Sequence, residues 1–277
     1  MTSEQARQIG RLFDTLAPEY DSVGVEFFGP IASSLVTALA PRAGERWLDM
    51  GCGRGAVLLR AAPVLGDRGL AVGTDISAGM LEACHDAVHR AGLTNVALHQ
   101  DDAQAPSLPA VPGGFHAIAS AAVVFFLPDP AAALSAWLPL AAPGGRLGIT
   151  TFAELDPRWQ ALDRLFDPYL PVDMLDARTT GAAGPFASDD GVEELVAGAG
   201  WAEVRTVSDE VEVRFASPEH WRRFSMSTGQ RRMWALVPDD ERQSVVDRAF
   251  AQLSADSAAD GSTTYWQRFR HTLAVRP

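Results

Sequence analysis

The 277-residue chain carries 23 basic against 35 acidic side chains, a net charge of −12, and 47% hydrophobic residues. So acidic a surface repels phosphate backbones, which argues against a nucleic-acid partner, and the apolar content supports a large core rather than disorder. No apolar run reaches the roughly 18–20 residues of a membrane span, and the polar stretch Met1–Arg11 lacks the apolar core of a secretory signal, leaving the cytoplasm as the expected location.

In chain order, the first forty residues read as two helical segments. Ile9, Phe13 and Leu16 lie at helical spacing before Pro18, and Phe27, Phe28, Ile31, Leu35 and Leu39 run to Pro41. Strands and helices then alternate. Arg46–Met50 is a strand entering glycines, Ala56–Leu65 a helix and Leu70–Asp75 a second strand. Ala78–Ala91 is a helix ended by Gly92, and Val96–Gln100 is a third strand. Phe115–Val123, nearly all apolar, reads as a fourth strand buried on both faces. A helix over Asp129–Ala141, closed by Pro143-Gly144-Gly145, precedes a fifth strand at Leu147–Phe152. Such alternation predicts a parallel sheet wound by right-handed crossovers. Beyond it, Glu154–Asp190 reads as an insertion of broken helices, Val192–Gly200 as a short helix, and Val204–Phe215 as extended with a turn near Asp209. Pro218–Ser254 is helical with breaks near Gly229 and Pro238, and Thr264–Val275 is a final strand.

The informative segment is Trp47-Leu48-Asp49-Met50-Gly51-Cys52-Gly53-Arg54-Gly55. Glycines at a strand-to-helix turn let backbone approach a ligand, and the helix N-terminus favours negative charge. Gly51-x-Gly53-x-x-Ala56, with Asp75 some twenty residues on, also fits the dinucleotide fingerprint. Four features argue against a nicotinamide dinucleotide. Asp49, two residues before the first glycine, would face a pyrophosphate unfavourably but could accept from the ammonium of a methionine moiety. Gly55 adds a third close glycine. Strand three ends in Asp101-Asp102-Ala103, where a carboxylate could meet an adenine amino group. Finally, every basic residue is arginine. Without lysine there is no Schiff-base or pyridoxal-phosphate chemistry, no Walker lysine, and no Tyr-x-x-x-Lys pair. Blander readings stay open: Asp75 as a helix cap, Asp101 and Asp102 as a solvated turn, Met80 as core or as packing on adenine. Cys52 and Cys84 read as reduced thiols without metal-ligand spacing, and Arg222–Arg223 and Arg231–Arg232 as solvated helix faces.

As a set, Asp49–Gly55, Gly73-Thr74-Asp75-Ile76-Ser77, Gln100-Asp101-Asp102-Ala103, Phe125-Phe126-Leu127-Pro128-Asp129 and Pro143-Gly144-Gly145-Arg146-Leu147 resemble the class I S-adenosylmethionine-dependent methyltransferases. The likeness covers residues 40–152 and is nearest in style to the ubiquinone/menaquinone-type C-methyltransferases. Phe13-Asp14-x-x-Ala17-x-x-Tyr20-Asp21 resembles the segment that covers the cofactor in that group. The resemblance implies a doubly wound Rossmann-like α/β fold with seven mostly parallel strands, the last antiparallel. It divides the chain into a helical lid (1–40), a cofactor-binding core (41–153), cap insertions (154–190 and 216–260) and the rest of the sheet (191–215 and 261–277). It further implies that Asp49 and the backbone of Gly51, Gly53 and Gly55 surround the methionine part of S-adenosylmethionine. Asp75 would hold the ribose, Ile76 lie by the adenine, and Asp102 with Ala103 meet its amino group. Ala121 would offer its carbonyl and Tyr20 cover the site. The family often has Asp where this chain has His116, which reads as structural.

Methyl transfer from a sulfonium leaves a neutral thioether, so the protein chiefly brings the nucleophile to about 3–3.5 Å from the methyl and excludes water. A base is needed only for a weakly acidic acceptor. Tyr20, Tyr169 and His220 are the candidates, each with a packing or surface alternative. Phe27, Phe28, Trp159, Phe166, Tyr169, Trp221, Phe224 and Trp234 lie outside the core strands and suit a flat or apolar small-molecule acceptor as well as ordinary cap packing. The expected assembly is a monomer or homodimer. Competing readings are the same fold used as a cyclase or regulatory binder without methyl transfer, and a nicotinamide oxidoreductase.

Overall fold

The computed structural model describes residues 4–109, 111–171 and 184–277; residues 1–3 of the expected lid and 172–183 of the expected insertion lie outside them. Seven strands form one sheet: β1 (Arg46–Met50), β2 (Leu70–Asp75), β3 (Val96–Gln100), β4 (Phe115–Ala121), β5 (Ala141–Leu155), β6 (Ala202–Phe215) and β7 (Thr263–Val275). Their order is β3-β2-β1-β4-β5-β7-β6, with β7 antiparallel to both neighbours and all other pairs parallel. The order reverses between β1 and β4. At such a switch point the connections leave to opposite faces and open a crevice at the carboxyl ends of the strands.

Helices cover both faces, and their starts follow from short polar caps. Ser77 accepts the Met80 N–H to begin α4 (Ala78–Arg90), and Asp129 accepts from Ala132 ahead of α5 (Pro130–Trp137), which carries Pro at its first position. The expected helix over Asp129–Ala141 stops at Trp137, giving way to a single 3₁₀ turn. Pro139 there has no N–H to continue the ladder. On one face α2 (Phe28–Leu39) and α3 (Leu58–Leu65) bury Leu35, Leu39, Leu58 and Leu65 against Trp47, Ala71 and Ala119. On the other, α5 and α7 (Asp189–Gly198) pack Trp137, Val192 and Val196 against Leu48, Ile118 and Leu147. α1 (Glu4–Leu16) lies over the N-terminal end of α4, where its Asp14 accepts from the Ser77 hydroxyl at 2.6 Å and the Gly79 N–H at 3.0 Å.

Two strands run longer than the hydrophobic pattern predicts. β5 begins at Ala141, so Pro143-Gly144-Gly145 belongs to an irregular strand rather than to a closing turn. β6 passes straight through Asp209, which stands opposite Phe269 in the ladder with β7, so the expected turn there is absent. The outer halves of β6 and β7 extend past the parallel sheet. Helices α6 (Pro157–Asp163), α8 (Pro218–Ser227) and α9 (Arg242–Ala255) pack on them around Trp159, Phe215, Trp221, Phe224, Tyr265 and Phe269. This second core places these helices beside the switch-point crevice.

Candidate active site

The loop leaving β1 is held by backbone bonds to β2: the Gly51 and Cys52 N–H groups both donate to the Thr74 carbonyl at 2.8 Å. Gly51 and Gly53 have φ of +74° and +51°, left-handed values that glycine adopts without a Cβ penalty. The Gly53 N–H donates to Asp75 Oδ2 (2.8 Å), and the Ser77 N–H to Asp75 Oδ1 (2.9 Å). Asp75 thus ties the glycine loop to the start of α4, while the cap of that helix is Ser77 rather than Asp75. Its carboxylate keeps further lone pairs for a ligand, and burial raises its pKa.

These groups line a narrow cleft at the carboxyl ends of β1, β2 and β4. Gly51, Gly53, Asp75, Ile76, Met80 and Tyr20 are on its wall, as are Asp101, Asp102, Ala103 and Ala121. Met80 is both core and cleft wall: it packs with Leu16 and Ala17 while facing the opening. Asp102 Oδ1 accepts from the Gln104 N–H (2.9 Å). Asp101 is spent on the turn, accepting from the Ser107 N–H and hydroxyl. Gly55 and Asp49 stand behind the wall. A Cβ on Gly55 would come 2.7 Å from Cys84 Sγ, so this glycine serves close packing of the loop on α4. Asp49 is buried, neither of its oxygens has a hydrogen-bond partner among the described residues, and burial together with the nearby Asp75 charge pushes its pKa up to about 8.

A second cavity of about 740 Å³ lies beside the first. Phe13, Tyr20, Ala122 and Phe126 line both. Its walls are aromatic, with Phe27, Phe28, Phe125, Phe152, Trp159 and Phe224 facing it, and its floor carries Thr151 and Arg270. At the junction Ala122 has φ +59°, a left-handed value rare for alanine, where the chain turns sharply after β4. Tyr20 stacks on Phe28 at 4.9 Å between ring centres and meets Phe13 edge-on. Burial and the charges of Asp21 and Asp75 raise its phenol pKa far above the usual value, so at neutral pH it is a hydrogen-bond donor and not a base. Tyr169 and His220 line neither space. The Tyr169 hydroxyl donates to Glu241 at 2.6 Å. His220 accepts from the Ala216 N–H through Nδ1 and meets the Val23 carbonyl through Nε2 at 2.9 Å, tying α8 to the α1–α2 loop. His116 Nδ1 accepts from the Arg46 N–H between β1 and β4, a structural bond.

Sequence reasoning missed Thr151, Arg270 and Ala122, and gave Phe125 and Phe126 no role. Phe125 and Phe126 stood inside a quoted motif, whereas the two floor residues come from strands whose facing could not be read without their partners.

Residues 48–145 match the model of a methyltransferase domain. Nocamycin O-methyltransferase of Saccharothrix syringae is 34% identical over 96% of this chain and 98% of its own length. The chain belongs to the S-adenosylmethionine-dependent methyltransferases. Aklanonic acid methyltransferase of Streptomyces sp. (strain C5) is 36% identical over 63% of this methyltransferase and 78% of its own length. Among solved structures, the [4+2]-cyclase SpnF superimposes with a TM-score of 0.59 at 18% identity, covering 98% of this methyltransferase and 96% of that chain. At that identity the likeness shows the shared fold alone.

The donor set fits the family's cofactor. An orphaned buried carboxylate at Asp49 suits an ammonium better than a pyrophosphate. The position a Cβ would take on Gly53 meets nothing within 4 Å, leaving backbone open to a ligand. Among the described residues, no group of three His, Cys, Asp or Glu side chains could hold a metal, and no helix is long and apolar enough to cross a membrane.

Proposed function

We propose that this methyltransferase acts on a small, flat or largely apolar metabolite, of secondary metabolism or quinone-like, seated in the aromatic cavity. The observation carrying the reading is the adjacency of the two spaces: four residues line both, so an acceptor in the larger one abuts the cofactor cleft. The relatives named for nocamycin and aklanonic acid support a small organic acceptor.

When bound, the cofactor supplies an electrophilic methyl on a sulfonium. In this reading Asp49 and the Gly51 and Gly53 backbone hold its amino-acid end, with Ala121 beside them and Gly55 fixing the loop from behind. Asp75 accepts from the ribose hydroxyls, Ile76 and Met80 flank the adenine, and Asp102 with Ala103 receives its amino group. Tyr20, Phe13 and Phe126 separate the reacting centre from water and set the acceptor's plane. Proximity and water exclusion do the work, and neither Tyr169 nor His220 touches the acceptor. The same proposal has residues 1–40 as lid, 41–153 as cofactor-binding core and the 154–190 and 216–260 segments as cap, working in the cytoplasm without nucleic acid.

The test is tritium transfer from methyl-labelled S-adenosylmethionine across a panel of polycyclic phenols, quinols and aromatic acids. Labelled product with at least one, abolished or strongly reduced in Asp75→Ala, is the expected result. For that variant S-adenosylhomocysteine affinity should fall by about 1–3 kcal/mol through lost charged hydrogen bonds. Tight cofactor binding with no labelled product across the panel would favour the same fold acting without methyl transfer.

A further inference from the structure

The floor of the aromatic cavity carries a feature that an apolar acceptor does not explain. Thr151 on β5 and Arg270 on β7 stand directly opposite each other in the antiparallel ladder, so both side chains leave the same face of the sheet. Both line the cavity and neither lines the cofactor cleft. Arg270 is only 5% exposed. Burying a guanidinium is costly unless its charge and its five N–H groups are answered.

They are answered in part. Nη1 donates to the Phe186 carbonyl at 2.7 Å and, more weakly, to the Phe152 carbonyl at 3.3 Å. Asp189 Oδ1 lies 2.8 Å from Nε, but among the described residues Nε makes no hydrogen bond, so the carboxylate sits off the N–H direction. That carboxylate is also half exposed, and water screens it. Nη2 has no partner among the described residues. Across the ladder, the buried Thr151 Oγ1 lacks a partner as well. The other charged side chains on the cavity wall are already engaged: Glu154 with Arg268 at 3.3 Å, and Asp163 with the Gln230 amide at 2.8 Å. Arg270 is therefore the one cation among the described lining residues, fixed by two carbonyls beside an idle hydroxyl.

We propose that Arg270 and Thr151 form an anion-binding subsite that selects acceptors carrying a carboxylate or enolate oxygen on an aromatic body. Planar guanidinium N–H groups suit such an oxygen, and the threonine hydroxyl donates beside them. Because the pair lies on the β5–β7 floor and outside the cofactor cleft, it anchors the acceptor while the aromatic walls hold its rings. The inference rests on the reading of this cavity as the acceptor site.

The experiment is calorimetric titration of the S-adenosylhomocysteine-saturated protein with 2-naphthoate and with 2-naphthamide, which differ in charge but hardly in shape. The expected wild-type result is roughly tenfold tighter binding of the carboxylate. Arg270→Gln should bring the two probes to near-equal affinity, Arg270→Lys should keep part of the preference, and Thr151→Val should weaken naphthoate several-fold more than naphthamide. Adenosylhomocysteine binding by each variant reports folding; should Arg270→Gln lose it, Arg270→Lys and Thr151→Val decide. Equal affinities in the wild type, undetectable naphthoate binding, or a preference surviving in a cofactor-binding Arg270→Gln protein overturns the subsite. Failure of the wild type to bind adenosylhomocysteine at all would instead strike the methyltransferase reading beneath it.

Discussion

Gly51 and Gly53 sit two residues apart in one loop and are required for different physical reasons. A Cβ on Gly51 would lie 2.5 Å from Val123 Cγ2 and 2.8 Å from Cγ1, in addition to the strain of φ +74°. A Cβ on Gly53 meets no protein atom within 4 Å but enters the cleft. Alanine in the left-handed region costs about 1–2 kcal/mol, and overpacking a dense site adds about 1–3 kcal/mol. Gly51→Ala should therefore show the larger fall in Tm, as Val123 is displaced. Gly53→Ala should lose only the conformational part of stability yet weaken adenosylhomocysteine at least roughly tenfold, because its methyl occupies ligand space. Calorimetry on both variants separates the two effects. Intact cofactor affinity in Gly53→Ala would remove the loop backbone from the site.

At the scale of elements, α1 joins the site through a small apolar cluster and one carboxylate. Its apolar contact is small, Leu16 and Ala17 against Met80 with Leu12, Phe13 and Tyr20 packed alongside, and Asp14 supplies its polar attachment to α4. Arg54 also holds the end of the segment through the Tyr20 carbonyl. Asp14→Ala should leave the core's Tm nearly unchanged while raising the adenosylhomocysteine dissociation constant roughly three- to tenfold, the worth of partly solvated charged hydrogen bonds. A large Tm loss instead would make Asp14 a core residue rather than a latch. α1 itself was legible, since Ile9, Phe13 and Leu16 keep helical spacing, and so were the five parallel strands, each a short apolar run between turn residues. Where reading failed, a partner was the missing information. Asp209 looked like a turn because a polar residue in an edge strand carries no signal of the β7 neighbour that keeps it extended. Arg270 and Thr151 were invisible for the same reason: nothing local states that residues 119 apart face one another. Motifs set by local backbone, such as the glycine turn, need no such partner.

Taken as a whole, the molecule holds a few buried titratable groups whose protons move on folding. Asp49 rises to about 8, by burial first and then the Asp75 charge, while burial lowers His271, on the opposite face of β7 from Arg270, to about 4. A carboxyl whose folded pKa exceeds its unfolded 3.8 takes up a proton on folding, so its contribution to stability declines as pH rises from about 4 to about 8. A histidine depressed below 6.5 works the other way: it is fully accommodated above 6.5 and costs stability as pH falls towards about 4. The two oppose each other below pH 6.5. Above it His271 is neutral in both states and no longer opposes Asp49, whose share of the decline is up to about 1.4 kcal/mol per pH unit. Asp75, raised by burial, pulls in the same direction as Asp49. Asp21, raised by burial to about 6, adds to the decline below that pH and offsets His271 there. Without cofactor, Tm should thus fall between pH 6.5 and 8 by several degrees at fixed ionic strength. Salt matters, because the net charge of −12 adds a repulsion that screening removes. Saturating adenosylhomocysteine should flatten that segment, since its ammonium would pair with ionised Asp49. Asp49→Asn should flatten it too while weakening the cofactor, which is what distinguishes a ligand carboxylate from a merely buried one. An unaltered slope in Asp49→Asn would move the origin of the pH dependence elsewhere and leave the orphaned carboxylate without its proposed partner.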